Sequence, residues 1–160
     1  MERACMRTTI RVCMAIGLGL ITTSCSSSGP GAEEVVVVGE DPRIIVHDLS
    51  LAMEAALTLE LEYLREEGCL VVHSRDEETQ EITATAAPVW PEDVSPVQEE
   101  GEGGITVASV GSIVNGDVFS AVGGSWEATG EAQDIDLPQA CLPADGFFLL
   151  NEGSIATGTG

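Results

Sequence analysis

The chain has 160 residues and no lysine, and its six arginines face 27 acidic side chains for a net charge of −21. Arg3, Arg7, Arg11 and Glu2 fall within the first 24 residues, so the rest carries 26 acids against three arginines, a net of −23. Such a surface repels phosphate backbones and anionic headgroups, which argues against nucleic-acid binding and against a body lying flat on a bilayer.

In chain order, the first element reads as an export signal. The three early arginines form a positive n-region, and Val12 to Ile21 (VCMAIGLGLI) is an apolar run of ten. That is too short for a membrane-spanning helix and suits a signal h-region. Thr22-Thr23-Ser24 then leads into Cys25, and this resembles the lipobox of bacterial lipoproteins, whose cysteine is acylated and becomes the new N-terminus. The resemblance implies a signal peptide over 1–24 and lipidation at Cys25. It also implies a location on the extracytoplasmic face of the cell membrane. Two or three acyl chains, at about 0.8 kcal/mol per buried CH₂, would hold such a protein there. An ordinary secretory signal that leaves Cys25 as a thiol is the other reading.

Residues 25–48 are expected to be lipidated cysteine plus flexible tether, since SSSGPGAEE is small, polar and then acidic. The end of this stretch, VVVVGEDPRIIVHD, is apolar but broken by Gly39 and Pro42. It suits either two short strands or a linker docked on the domain.

The segment SLAMEAALTLELEYLREEGCLVVHS carries two competing periods. At 3.6 residues, Met53, Ala56, Leu57, Leu61 and Leu64 form a stripe, Ser50 is an N-cap with Glu54 near the capping-box position, and propensity favours helix. At 2 residues, Leu57, Leu59, Leu61 and Tyr63 alternate with Thr58, Glu60 and Glu62, and REEG turns the chain into CLVVH. Only the strand gives Leu59 an inward place.

Downstream the signals are β. EITATAAPVWP alternates up to Pro88, Asn115-Gly116 stands between GITVASVGSIV and DVFSAVGG as a two-residue hairpin signal, and GFFLLN closes the series. SPVQEEGEGG is an acidic loop. The expected fold is mainly β, a small barrel or sandwich of short antiparallel strands over 49–152 with a tail over 153–160.

Of five cysteines, three remain after the signal, and with Cys25 acylated only Cys69 and Cys141 are left. In an exported chain these most simply form a disulfide. Closing their 72-residue separation stabilises by about 4 kcal/mol on the chain-entropy model. A zinc site with His47 and His73 is the alternative, but no pair has C-x₂-C or H-x₃-H spacing. The acidity suggests calcium, yet no D-x-[DN]-x-[DN]-G loop is present.

The common catalytic motifs G-x-S-x-G, G-x-x-x-x-G-K-[ST] and H-E-x-x-H are missing from the sequence. Cys69 and His73 share a face on a strand but lie about 13 Å apart, so spacing makes them no dyad. No catalytic residue, metal ligand or cofactor is therefore assigned. Trp90 and Trp126 are the candidate binding residues, because aromatic faces stack on sugars; filling the core is the competing use. Gly123-Gly124 suits a ligand cradle or a tight sheet corner.

Taken together, EEGCLVV, PVWPEDV, SIVNGDVFSAVGGSW and QACLPADGFFLLNEG resemble a group of small secreted or lipid-anchored actinobacterial proteins. The resemblance spans roughly Leu57 to Glu152. It implies a small β-barrel, a strand over Leu57–Tyr63 and a Cys69–Cys141 pair. The functional expectation is a non-enzymatic, lipid-anchored domain that binds an envelope glycan or protein partner. An acidic-site enzyme or calcium-dependent module is the alternative.

Overall fold

The computed structural model describes residues 34–50, 53–76, 78–127 and 135–158. Cys25, the segment before it and the first part of the tether lie outside them. Within this range the protein is mainly β. Its strands are β1 (Val35–Val38), β2 (Ile44–His47), β3 (Ala55–Leu64), β4 (Cys69–Arg75), β5 (Ile82–Pro91), β6 (Val94–Glu99), β7 (Glu102–Val107), β8 (Gly111–Val114), β9 (Val118–Trp126), β10 (Phe147–Leu150) and β11 (Ala156–Thr157). No helix among the described residues is long and apolar enough to cross a membrane.

The period-2 reading of the ambiguous segment is the one realised. In β3, Leu59, Leu61 and Tyr63 are buried while Glu60 and Glu62 point outward. Helix propensity loses here because β3 is paired along both edges, with β4 from Leu59 to Leu64 and with β9 from Ala55 to Glu60. Full burial of each large apolar side chain adds about 1.5–3 kcal/mol that the helical stripe, with Leu59 off it, would forgo.

The main sheet runs β1-β2-β5-β10-β9-β3-β4, with an additional β4–β5 pairing. Pairing therefore closes on itself through β5, β10, β9, β3 and β4, and β2 and β1 extend from the ring as a flap. The strands are not all antiparallel, since β2 and β10 both run parallel to β5. Buried on both faces from Ala86 to Pro91, β5 reads as a continuous apolar run, as a central parallel strand should. Pro88 lies between Ala86, which pairs with β4, and Val89, which pairs with β2. Its missing N–H thus falls where the ladder changes partner.

A second sheet, β6-β7-β8, packs on the first as a sandwich. Its Val94, Ile105, Val107 and Ile113 share one core with Leu59, Leu61, Val72, Trp90 and Phe119 of the main sheet. Close approach depends on Gly103, where a Cβ would lie 2.5 Å from the Tyr63 ring. The cores differ by face. Ile45, Ala87, Val89 and Leu149 form a smaller cluster on the other side of β2, β5 and β10.

Four expectations need correction. SPVQEEGEGG is not a loop but most of a hairpin, its residues 95–99 in β6 and 102–104 in β7, paired antiparallel around Glu100-Gly101. Asn115-Gly116 joins no hairpin: β8 pairs with β7, while β9 pairs with β3 and β10. The turn instead crosses between sheets, and its polar groups bind β3, with Asn115 Oδ1 accepting from the Tyr63 N–H at 2.8 Å and Gly116 N–H donating to the Leu61 carbonyl at 2.8 Å. The folded region also starts before residue 49, because Ile44 and Ile45 of β2 are buried and paired in the main sheet. Finally, 153–160 is not wholly a tail, since Ile155 is buried and β11 pairs with β9.

Candidate functional site

On the outer face of the ring, alternate residues of β3, β4 and β5 are polar and meet across the strands. Glu60 pairs with His73 in register, and His73 with Thr85. His73 Nε2 lies 2.7 Å from Glu62 Oε2 and its Nδ1 lies 2.8 Å from Thr85 Oγ1. Arg75 Nε donates to Glu60 Oε2. Glu60, Glu62, His73 and Arg75 border an open cleft of about 390 Å³ that Leu61, Ile82, Asn115 and Gly116 complete. A hydroxyl on an imidazole backed by a carboxylate follows the order of a nucleophilic triad. Thr85 is the direct cross-strand partner of His73 and Glu62 its diagonal neighbour on β3, and such cross-strand contacts are how polar ladders stabilise a sheet.

The other histidine is structural. Its Nδ1 accepts from the Leu49 N–H at 3.1 Å, so Nε2 carries the proton and donates to the Leu150 carbonyl at 2.9 Å. His47 thereby ties β2 to the end of β10. A second tie holds the turn between β1 and β2. The Tyr63 hydroxyl donates to Asp41 Oδ1, and Gln98 Nε2 donates to Asp41 Oδ2 at 3.2 Å. That bond to Asp41, followed by burial and the charge of Asp41, raises the Tyr63 phenol above its ordinary 10.0. At the β4–β5 turn, Asp76 accepts from the N–H groups of Thr79 and Glu78 and the Thr79 hydroxyl, which lowers its carboxyl below the ordinary range.

Each residue singled out in the sequence has a definite place, apart from Cys25, which lies outside the described residues. Cys69 and Cys141 are joined in a disulfide, both fully buried, with Cα atoms 6.1 Å apart. The bond leaves no thiol at Cys69 for chemistry with His73. Trp90 is 0 % exposed against Phe119, so it is a core residue with no face for a ligand. Its indole N–H has no hydrogen-bond partner among the described residues. Trp126 is half-buried, edge-on to Phe147 at 5.6 Å. Gly123 and Gly124 cradle nothing but their own chain: a Cβ at Gly123 would meet the Leu149 carbonyl at 2.5 Å, and Met53 lies over Gly124.

Trp126 is not isolated. With Phe147, Met53, Leu49, Leu137 and Val35 it forms a partly exposed apolar surface over the smaller core. The register puts Val37, Ile45, Val89, Leu149 and Gly124 in one row across five strands, leading from the edge strand β1 towards the Trp126 end of β9. Apolar side chains left partly exposed beside one another, as Trp126 and Phe147 are, are a feature of interaction sites. Among the described residues, no group of three or more His, Cys, Asp and Glu side chains is arranged to hold a metal ion.

Sequence reasoning missed the Glu62–His73–Thr85 ladder and the participation of Phe147. The ladder had a signal: once REEG is taken as a hairpin turn pairing Leu64 with Cys69, the period-2 acids of β3 fall opposite His73 and beside Arg75. Phe147 gave none, because only the β9–β10 register brings it to Trp126. The chain matches no protein-family model, and no curated protein or solved structure is similar to it.

Proposed function

We propose that this chain is an extracytoplasmic lipoprotein. A signal segment is removed ahead of Cys25, acyl chains on Cys25 hold the protein on the membrane, and an acidic β-domain is offered to an envelope component or protein partner without chemical turnover. The anchor half of the reading draws on the arginine-rich start, the ten-residue apolar run and the TTSC sequence. The observation that carries the binding half is the apolar surface centred on Trp126 and Phe147. A net charge of −23 beyond the signal favours a body standing off anionic headgroups. Replacing Cys25 with alanine tests the anchor by fractionation: the protein should leave washed membranes, as a soluble or unprocessed form. Processed protein that stays with the membranes would contradict it.

The Thr85–His73–Glu62 array favours a second reading, an acid–base site beside the ring cleft. Hydrolysis of an ester probe by the full chain, lost in both Glu62→Gln and His73→Gln, would support it.

A further inference from the structure

The search for unused features leads to the edge of the flap. β1 stands at the end of the main sheet, and among the described residues it pairs only with β2. The Asp48 N–H donates to the Glu34 carbonyl. By the alternation of an antiparallel ladder, Val36 and Val38 then bond to β2, while the N–H and C=O of Val35 and Val37 face the free edge. Natural edges are guarded by charge, proline, bulges or brevity. β6 has Pro96, but Val35–Val38 is four valines in regular register. Its charges lie at the ends instead. Exposed Glu34 precedes it, exposed Glu40 and Asp41 follow it, and Glu34, Asp48 and Glu92 ring a hollow of about 130 Å³ beside Val36. Arg43, the one cation in this stretch, donates to the Glu67 carbonyl.

We propose that the free edge of β1 receives, by strand addition, an extended segment of another protein that is apolar in its middle and basic at its ends. This rests on the reading of the chain as a binding domain and names its partner class. Main-chain bonds to Val35 and Val37 would supply the pairing, as in other cases of strand addition. The acidic brackets select basic flanks. The same brackets work against a second copy, because pairing β1 with β1 would set acid against acid.

The test uses the full chain and two labelled synthetic peptides, both with three Thr-Val repeats, one flanked by lysines and one by glutamates. The lysine peptide should bind and the glutamate peptide should not. Raising salt from about 0.05 to about 0.5 M should weaken binding about tenfold. Val37→Pro removes an outward N–H and leaves the β1–β2 ladder in place; it should abolish binding while the chain stays folded. A Glu34→Lys, Glu40→Lys double variant, which leaves every backbone bond intact, should transfer preference to the glutamate peptide. Equal binding of both peptides, or binding unaffected by Val37→Pro, would overturn the proposal. So would a concentration-dependent dimer that Val37→Pro converts to monomer, since a second copy would then be the occupant. Release of Cys25→Ala protein from membranes is read independently, so failure of the edge and failure of the anchor are separable.

Discussion

The two halves of β5 have different neighbours. Its first half pairs with β4 inside the closed ring, where His73 and Thr85 meet across the strands. Its last residues pair with β2, and beyond β2 the ladder ends at β1 with uncapped valines. On the ring side, backbone and side-chain polar groups of the outer face are joined to one another, and a disulfide fixes the start of β4. On the flap side, tyrosine and histidine ties hold the strands in place, yet among the described residues no strand pairs with the outer edge of β1. The β1 edge and the Trp126 patch, the surfaces proposed for a partner, lie outside the main core that Trp90, Phe119 and Leu59 share with the second sheet.

The largest effect should come from breaking the ring core. Trp90→Ala is expected to cost about 3–5 kcal/mol in denaturant unfolding. Trp90→Phe should cost less, because it also removes a buried donor that has no partner. Cys69→Ser opens the 72-residue closure and should cost about 2–4 kcal/mol, with Cys141 becoming alkylatable on unfolding. An unchanged melting temperature would show that the bond does not form.

The flap tie is smaller. Tyr63→Phe removes the hydroxyl that donates to Asp41 and should cost about 1–2 kcal/mol. Because the folded phenol is raised above 10.0, its contribution is complete below pH 10.0 and is lost as pH climbs from there through the folded value. Urea midpoints measured across the alkaline range should fall in the native protein, and this part of the fall should vanish in Tyr63→Phe. The smallest effect on stability belongs to Trp126→Ala, about 1 kcal/mol for a half-buried ring that loses one edge-on contact. If Trp126 cost as much as Trp90, the division between sealed core and open patch would fail.

The parts of the fold that were legible are those where one local signal dominates. Hydrophobic alternation in GITV and DVFSAV and the apolar run FFLL needed no tertiary information, and the two cysteines left over when the chain is read as exported pointed to each other. The helix-or-strand conflict over Ala55–Leu64 was decided by pairing on both edges of β3, which no local window contains. Asn115-Gly116 misled for a related reason: the tight turn exists, with Asp117 N–H donating to the Val114 carbonyl, but the strands on either side bond elsewhere. β1 and β2 fitted either short strands or a docked linker because Gly39 and Pro42 interrupt the stretch, and only the pairing of β1 with β2 and of β2 with β5 shows them to be sheet. Of the candidate site, Trp126 could be named in advance, while its partners come from strands distant in sequence.

The most direct test of the lipoprotein reading is the intact mass of the chain purified from its native membrane, before and after reduction. The expected result is the mass of residues 25–160 plus acyl chains, gaining two hydrogens on reduction. An unlipidated mass with free thiols at Cys69 and Cys141 would contradict both the anchor and the sealed ring.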